Sequence, residues 1–219
     1  MELENKSSGI VIEKQKAKVD KKSAIIKSAR KLFIQNGFGC TSMREIAKDA
    51  NVNLAMVNYY FKSKETLFDI IYDEAFDNMA DQLDVKLFSG NSVVEDITNF
   101  IESYTEGLIE NPEVPGFIFQ ESYKNPDVII SRVKKSEVAQ KFINSFFSSL
   151  DKDMKEGKIR KIENPASLIL NIVSMCAFPF IGKPVVEKVI GSDDTEFTKM
   201  MRARKKDIIE IFKAYLSVK

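Results

Sequence analysis

Apolar residues recur at helical spacing along most of this chain of 219 residues. Steps of three and four residues place side chains on one face of an α-helix. The first such stripe begins after Ser23 and comprises Ile25, Ile26, Ala29, Leu32 and Phe33. The sequence predicts that this helix stops at Gly37, where glycine can cap the last turn and Phe38 can fold back against it.

Two short helices follow, each with a capping signal at its amino end. Ser42 and Glu45 have the three-residue spacing of a capping box, and a short apolar stripe follows them. Asn51 lies where a tight turn between helices needs positive φ, which Asn tolerates better than most residues. Asn53 is a favourable N-cap for a third helix, and Ser63 is one for a long fourth helix.

The third helix has two unlike faces. Val57, Tyr60 and Phe61 share one face, which leaves other side chains to point outward. The outward set is Ala55, Met56, Asn58 and Tyr59. Residues 51–61 contain no charged side chain, so the usual Arg or Lys contact to guanine cannot come from this helix.

The remainder of the chain also reads as helices separated by Gly and Pro. Asn164 followed by Pro165 combines an N-cap with proline at the first helical position. We find no internal repeat and no alternating run that favours a sheet. The sequence predicts an all-α chain with a mobile polar tail (1–20), a three-helix helix-turn-helix domain (21–67) and a larger helical-bundle domain (68–219).

Charge is distributed unevenly although the formal net charge is only +1. Residues 21–64 contain nine Lys or Arg against Glu45 and Asp49. Because Lys and Arg neutralise phosphates, this segment is a candidate nucleic-acid surface, although a solvated charged face explains the charge equally well. The lysines of residues 14–22 are further candidates for a minor-groove arm.

Composition argues against an enzyme. The chain has no histidine, no Gly-rich phosphate loop and no nucleophile motif, and its two cysteines, Cys40 and Cys176, lack metal-ligand spacing. We therefore expect no catalytic residue, metal or cofactor. The amino end lacks the apolar run of a signal peptide, and the run from Leu168 to Ile181 is too short to span a membrane. We expect a cytoplasmic protein.

A pattern of fixed spacing extends through residues 23–68. It reads Ile25-Ile26-(x)2-Ala29-(x)2-Leu32-Phe33-(x)3-Gly37-Phe38-(x)2-Thr41-Ser42-Met43-(x)2-Ile46-Ala47, followed by Tyr60-Phe61-(x)-Ser63-Lys64-Glu65. This pattern resembles that of the TetR family of bacterial transcriptional regulators. The resemblance implies a homodimer on a pseudo-palindromic DNA operator, and a second domain that releases DNA, by default as a repressor, when a small molecule binds.

The resemblance and the helix pattern together give a set of predicted DNA contacts. The amino end of the second helix favours a phosphate through its backbone N–H groups and dipole. We expect thymine methyls at Ala55 and Met56, adenine at Asn58, and phosphates at Tyr59 and Tyr60. The full set is Thr41, Ser42, Arg44, Asn53, Leu54, Ala55, Met56, Asn58, Tyr59, Tyr60, Lys62 and Lys64. Asn58 departs from the family, which usually has tyrosine there.

Two further sets are predicted in the second domain. Aromatic residues concentrate between Pro115 and Leu150, which favours a hydrophobic or aromatic effector, although plain core packing explains them too. These residues are Phe117, Phe119, Tyr123, Phe142, Phe146 and Phe147. The last two predicted helices, one apolar nearly all round and one amphipathic, favour a dimer surface, unless both bury within one subunit. Its predicted residues are Ile172, Cys176, Phe197, Met201, Ile208 and Phe212.

One other class of function stays open. A helical adaptor could bind another protein through the same basic, exposed helix. Salt separates the two possibilities, because binding through several phosphates weakens steeply as salt rises.

Overall fold

The computed structural model describes residues 2–81 and 92–218, with side chains for 20–80 and 92–218. Every regular element in these ranges is an α-helix, which confirms the all-α prediction. The helices are α1 (Glu2–Cys40), α2 (Met43–Asp49), α3 (Leu54–Phe61), α4 (Lys64–Asp81), α5 (Val93–Glu110), α6 (Val114–Lys124), α7 (Pro126–Lys135), α8 (Glu137–Lys155), α9 (Pro165–Ile181), α10 (Lys183–Ile190) and α11 (Asp194–Leu216). The chain divides into two compact units, Met1–Glu74 and Ala75–Lys219.

The first helix is longer than the sequence predicts. Its backbone is helical from Glu2 onward, where the sequence predicts a polar tail; the mobility of that tail stays a prediction. Gly37 has φ 78° and ψ 163°, and the helix is kinked there. The predicted stop at Gly37 is therefore wrong: φ is positive, but ψ lies outside the left-handed helical region, and the helical segment continues to Cys40.

The core of the first unit is formed by side chains from all four helices α1, α2, α3 and α4. One fully buried residue from each helix illustrates it: Phe33, Ile46, Val57 and Leu67. The ring of Phe38 packs between two others, with centroids 5.8 Å from Phe33 and 4.8 Å from Phe68. The predicted fold-back of Phe38 is therefore confirmed, and it closes the end of α1 over the core.

The second unit is built around α5, which packs against α8, α9 and α11. Two buried carboxylates fix α5 on α8. Asp153 accepts a hydrogen bond from the Val93 backbone N–H (2.8 Å), and Asp96 accepts one from the Ser149 hydroxyl (2.7 Å). Because Ser92 makes no side-chain cap, Asp153 takes over the capping of this helix from another element.

No single helix among the described residues is long and apolar enough to cross a membrane. Only α9 and α10 taken together, bent by 72°, reach the required length and composition.

Candidate nucleic-acid interface

The amino ends of α2 and α3 carry the caps that the sequence predicts, and the Asn53 cap lies in the turn between these helices. Ser42 and Glu45 form a complete capping box, and the Asn53 side chain accepts a hydrogen bond from the Met56 backbone N–H (2.8 Å). Asn51 has φ 52°, as expected for the turn. These local bonds set the direction in which α3 leaves α2.

The outer face of α3 is open to solvent. Val57 and Phe61 are buried, so the helix is seated on the core by one face. Ala55, Asn58 and Tyr59 are exposed on the other, and Tyr59 retains 69% of its side-chain area. The predicted contact residues Leu54, Met56 and Tyr60 are half-buried at the edges of this face. The structure therefore presents an uncharged helical surface with a polar centre and apolar margins.

Positive side chains border this surface. Arg44 on α2 is exposed, and so is Lys62, the residue that joins α3 to α4. Lys62 has φ 57° and ψ −49°, and the Ser63 N–H donates to the Phe61 carbonyl (2.5 Å) across it. This is the geometry of a γ-turn, which is strained for a residue other than glycine. Lys62 is thus the C-cap of α3, and its side chain is exposed there.

At the amino end of α2, the Glu45 carboxylate already occupies part of the space that a DNA phosphate would take. Glu45 accepts hydrogen bonds from the Ser42 backbone N–H (2.8 Å) and the Ser42 hydroxyl (2.7 Å). These bonds hold the pKa of Glu45 below its usual value, so the carboxylate is ionised at neutral pH. A phosphate at this helix end would therefore rely on the backbone N–H groups of Met43 and Arg44 and on the Arg44 guanidinium.

Two of the predicted DNA-contact residues, Thr41 and Lys64, form hydrogen bonds within the first unit. Thr41 is buried, and its hydroxyl lies within hydrogen-bonding distance of the carbonyls of Gly37 (3.0 Å) and Leu32 (3.2 Å). Lys64 donates to the carbonyls of Phe38 and Thr41, each at 2.9 Å, and its ammonium lies 4.3 Å from the centroid of the Phe38 ring. The Thr41 side chain is thus withheld from the surface, and Lys64 acts first as a clamp on the kinked end of α1.

The aromatic residues predicted to bind an effector are divided between the core and the surface. Phe117, Phe142 and Phe146 are buried in the core, and the Phe142 ring stacks on Phe100 at 4.5 Å. The other three, Phe119, Tyr123 and Phe147, are exposed by 55%, 84% and 38%. Four cavities of the second unit, including those on its α9/α11 side, are lined by other residues. The six residues thus lie on different faces, because helical period groups residues without saying which way each face points; their contact with an effector stays a prediction.

The residues predicted for the dimer surface are packed inside the chain. All six are at most 4% exposed: Ile172, Cys176, Phe197, Met201, Ile208 and Phe212. Burial also raises the pKa of the Cys176 thiol to about 11, as expected for a packed core cysteine. They pack α9 and α11 against α5, and Met201 and Phe212 also line grooves on the outer side of these helices. Their contact with a second copy stays a prediction.

A different row of apolar residues on the same two helices faces outward. Leu170 and Phe178 on α9 are each 66% exposed, and Ile211 and Tyr215 on α11 are 49% and 42% exposed. Asn171 and Met175 of α9 border a groove of about 180 Å³ together with Ile211 and Tyr215. We call this surface the α9/α11 face and define it by four exposed residues: Leu170, Phe178, Ile211 and Tyr215. Sequence reasoning missed this row, although the all-round apolar character of α9 implied that something covers its second side.

The chain matches the model of a known protein family over part of its length. Residues 25–71 match the bacterial regulatory proteins of the tetR family. The matched segment contains α2, α3 and the capped turn between them. Among the described residues, no group of three or more Cys, Asp or Glu is placed to hold a metal ion.

Curated relatives and solved structures extend the likeness to the second unit. The chain is 27% identical over 175 residues to the probable HTH-type transcriptional regulator YttP of Bacillus subtilis, which covers 79% of this chain and 83% of the relative. It is 28% identical over 139 residues to the HTH-type regulator YhgD of the same organism, covering 64% and 70%. The fold resembles that of HlyIIR, a hemolysin II transcriptional regulator, with TM-score 0.59, 23% identity and coverage of 92% and 99%. It also resembles PfmR of Thermus thermophilus, with TM-score 0.62, 17% identity and coverage of 85% and 97%.

Proposed function

The chain belongs to the tetR family of bacterial regulatory proteins, and from that premise we propose that α3 reads an operator in the major groove of DNA. The protein is a DNA-binding transcriptional regulator and not an enzyme. The observation that supports groove insertion is the exposed face of α3, seated on the core by Val57 and Phe61. A helix of this width fits the major groove.

We propose that recognition divides into an uncharged centre and a positive border. Arg44, Lys62 and the amino end of α2 contact phosphates, which supply affinity without sequence information. Ala55 and Met56 meet thymine methyls, and Asn58 forms a bidentate pair with adenine. Asn53, Leu54, Tyr59 and Tyr60 line the edges of this contact. The operator is therefore rich in A·T pairs where α3 lies.

Selection of binding sites from random DNA tests this assignment. We expect a pseudo-palindrome whose half-site centres are rich in A·T, and half-sites centred on G·C would contradict it. Asn58→Ala should lower affinity for the selected operator by about tenfold or more, the effect of one lost bidentate contact. Asn144→Ala is the matched control, because Asn144 is exposed on α8 in the other unit. Equal operator affinity of the two variants would show that Asn58 does not contact a base.

The active form in this proposal is a homodimer joined through the α9/α11 face. Support comes from the large apolar side chains that α9 and α11 both expose to solvent. Two-fold symmetry would give each operator half-site its own α3, about 34 to 36 Å from the other. Leu170→Glu is expected to yield monomers in sedimentation and to weaken operator binding; dimers of unchanged stability would contradict this interface.

We further propose that a small effector binds the second unit and releases the protein from DNA. The chain would then act as a repressor in the cytoplasm, where bacterial DNA lies. One cavity beside Leu108 and Val114 has a volume of about 10 Å³, enough for a single water. An effector at this place would have to separate the helices around it, and the aromatic core beyond favours a hydrophobic compound. Lipophilic compounds that raise the thermal midpoint and release operator DNA would support this; compounds that stabilise the protein without releasing DNA would contradict it.

A further inference from the structure

One end of the α9/α11 face carries two charged residues, Arg204 and Asp207, that form no ion pair with the described part of the chain. A groove of about 440 Å³ opens there between α9, α10 and α11. Its walls are mostly apolar, with Phe178, Val186 and Met200 among them. Arg204 and Asp207, one helical turn apart on α11, are its only ionisable lining residues among those described.

The guanidinium of Arg204 lacks the partner that its neighbours have. Arg204 is half-buried, and its Nε is shielded from solvent without a hydrogen-bond acceptor. Arg202 and Lys205 on the same helix both pair with Glu106, at 3.5 Å and 2.8 Å. A half-buried guanidinium gains from an ion pair at its accessible nitrogens, and no described residue of its own chain gives Arg204 a carboxylate.

A second copy of the chain can supply that carboxylate. In a two-fold symmetric interface, if residue i contacts residue j, then residue j also contacts residue i of the other subunit. Arg204 and Asp207 lie on one outward stripe of α11, in line with Ile211 and Tyr215 of the α9/α11 face. A two-fold axis between them would place each Arg204 opposite Asp207 of the partner subunit. The stripe is thus complementary in charge to its own rotated copy.

We propose that reciprocal Arg204–Asp207 pairs select an identical chain as the dimer partner. This inference rests on the proposed dimer through the α9/α11 face. The apolar row supplies attraction that many related regulators could share, whereas a charge pair rejects any partner with like charges at these positions.

Charge reversal gives a test with opposite results for single and mixed variants. Arg204→Glu alone would face Asp207, and Asp207→Lys alone would face Arg204, so each variant should weaken its own homodimer by about 100-fold. Mixed together, they restore two attractive pairs, and a heterodimer should form with near wild-type affinity. Sedimentation of differently tagged chains measures all three species. Lys206→Glu, an exposed charge change on the same helix, should dimerise normally.

Each outcome bears on a separate part of the inference. Recovery of the heterodimer shows that both variants fold and that the charges meet. Variants that dimerise as the wild type does, or a mixture that gains nothing over the single variants, would overturn the Arg204–Asp207 pair while leaving the apolar dimer intact. A monomeric wild type would refute the proposed dimer itself.

Discussion

Removal of the Lys64 ammonium separates a structural role from a phosphate contact. Lys64→Met keeps the aliphatic length but loses the hydrogen bonds to the carbonyls of Phe38 and Thr41, both at 2.9 Å, and the contact with the Phe38 ring. Hydrogen bonds from a charged donor contribute about 1.5 to 3 kcal/mol each, and a cation–π contact about 0.5 to 1 kcal/mol. Because the site is only partly buried, we expect a total loss of about 2 to 3 kcal/mol in the free energy of unfolding.

Urea unfolding and operator binding at several salt concentrations measure the two roles. For Lys64→Met, the slope of log affinity against log salt should stay near the wild-type value once the protein is kept folded. The matched control is Lys62→Met, which removes an exposed ammonium two residues away. Its stability should change by less than about 0.5 kcal/mol, while the salt slope should fall by about one. A stable Lys64→Met variant with a reduced slope would refute the clamp and make Lys64 a phosphate ligand.

Further predictions use matched positions and pH. Asn53→Ala should lower stability by about 1 kcal/mol and weaken operator binding, whereas Asn164→Ala, the equivalent cap in the second unit, should lower stability alone; calorimetry and gel shift measure both. Phe146→Ala should cost about 3 to 5 kcal/mol in urea unfolding, and the exposed Phe147→Ala far less; equal losses would contradict the burial pattern. Since the Glu45 pKa is lowered by its bonds to Ser42, the small stability that it adds is present at neutral pH and is lost as pH falls through the lowered pKa; an NMR titration with a normal carboxyl pKa would contradict this.

Local features of the DNA-binding region could be predicted from the sequence because neighbouring residues determine them. The capping box at Ser42, the N-cap at Asn53 and the positive φ at Asn51 each depend on bonds that span five residues or fewer. The buried face of α3 follows in the same way from the helical positions of Val57 and Phe61. Few other conformations are open to a short segment with both caps, so the local hydrogen bonds favour the same conformation as the folded unit.

Features that depend on distant contacts could not be predicted. The bonds of Lys64 reach residues more than twenty positions earlier in the chain, and nothing near Lys64 in the sequence indicates them. In the second unit, α9 is apolar on both sides, so the pattern does not say that Ile172 faces the core while Leu170 faces solvent. The regular stripes of α9 and α11, from which the dimer residues were predicted, pack against α5 in the structure.

A negative charge on the outer face of α3 tests groove insertion most directly. Ala55→Asp changes an exposed residue and should leave the thermal midpoint nearly unchanged, yet it would set a carboxylate among phosphates. We expect operator affinity to fall by about 100-fold or more, whereas Ala166→Asp, exposed in the first turn of α9, should bind as the wild type does. Unchanged operator affinity of Ala55→Asp would contradict the placement of α3 in the groove.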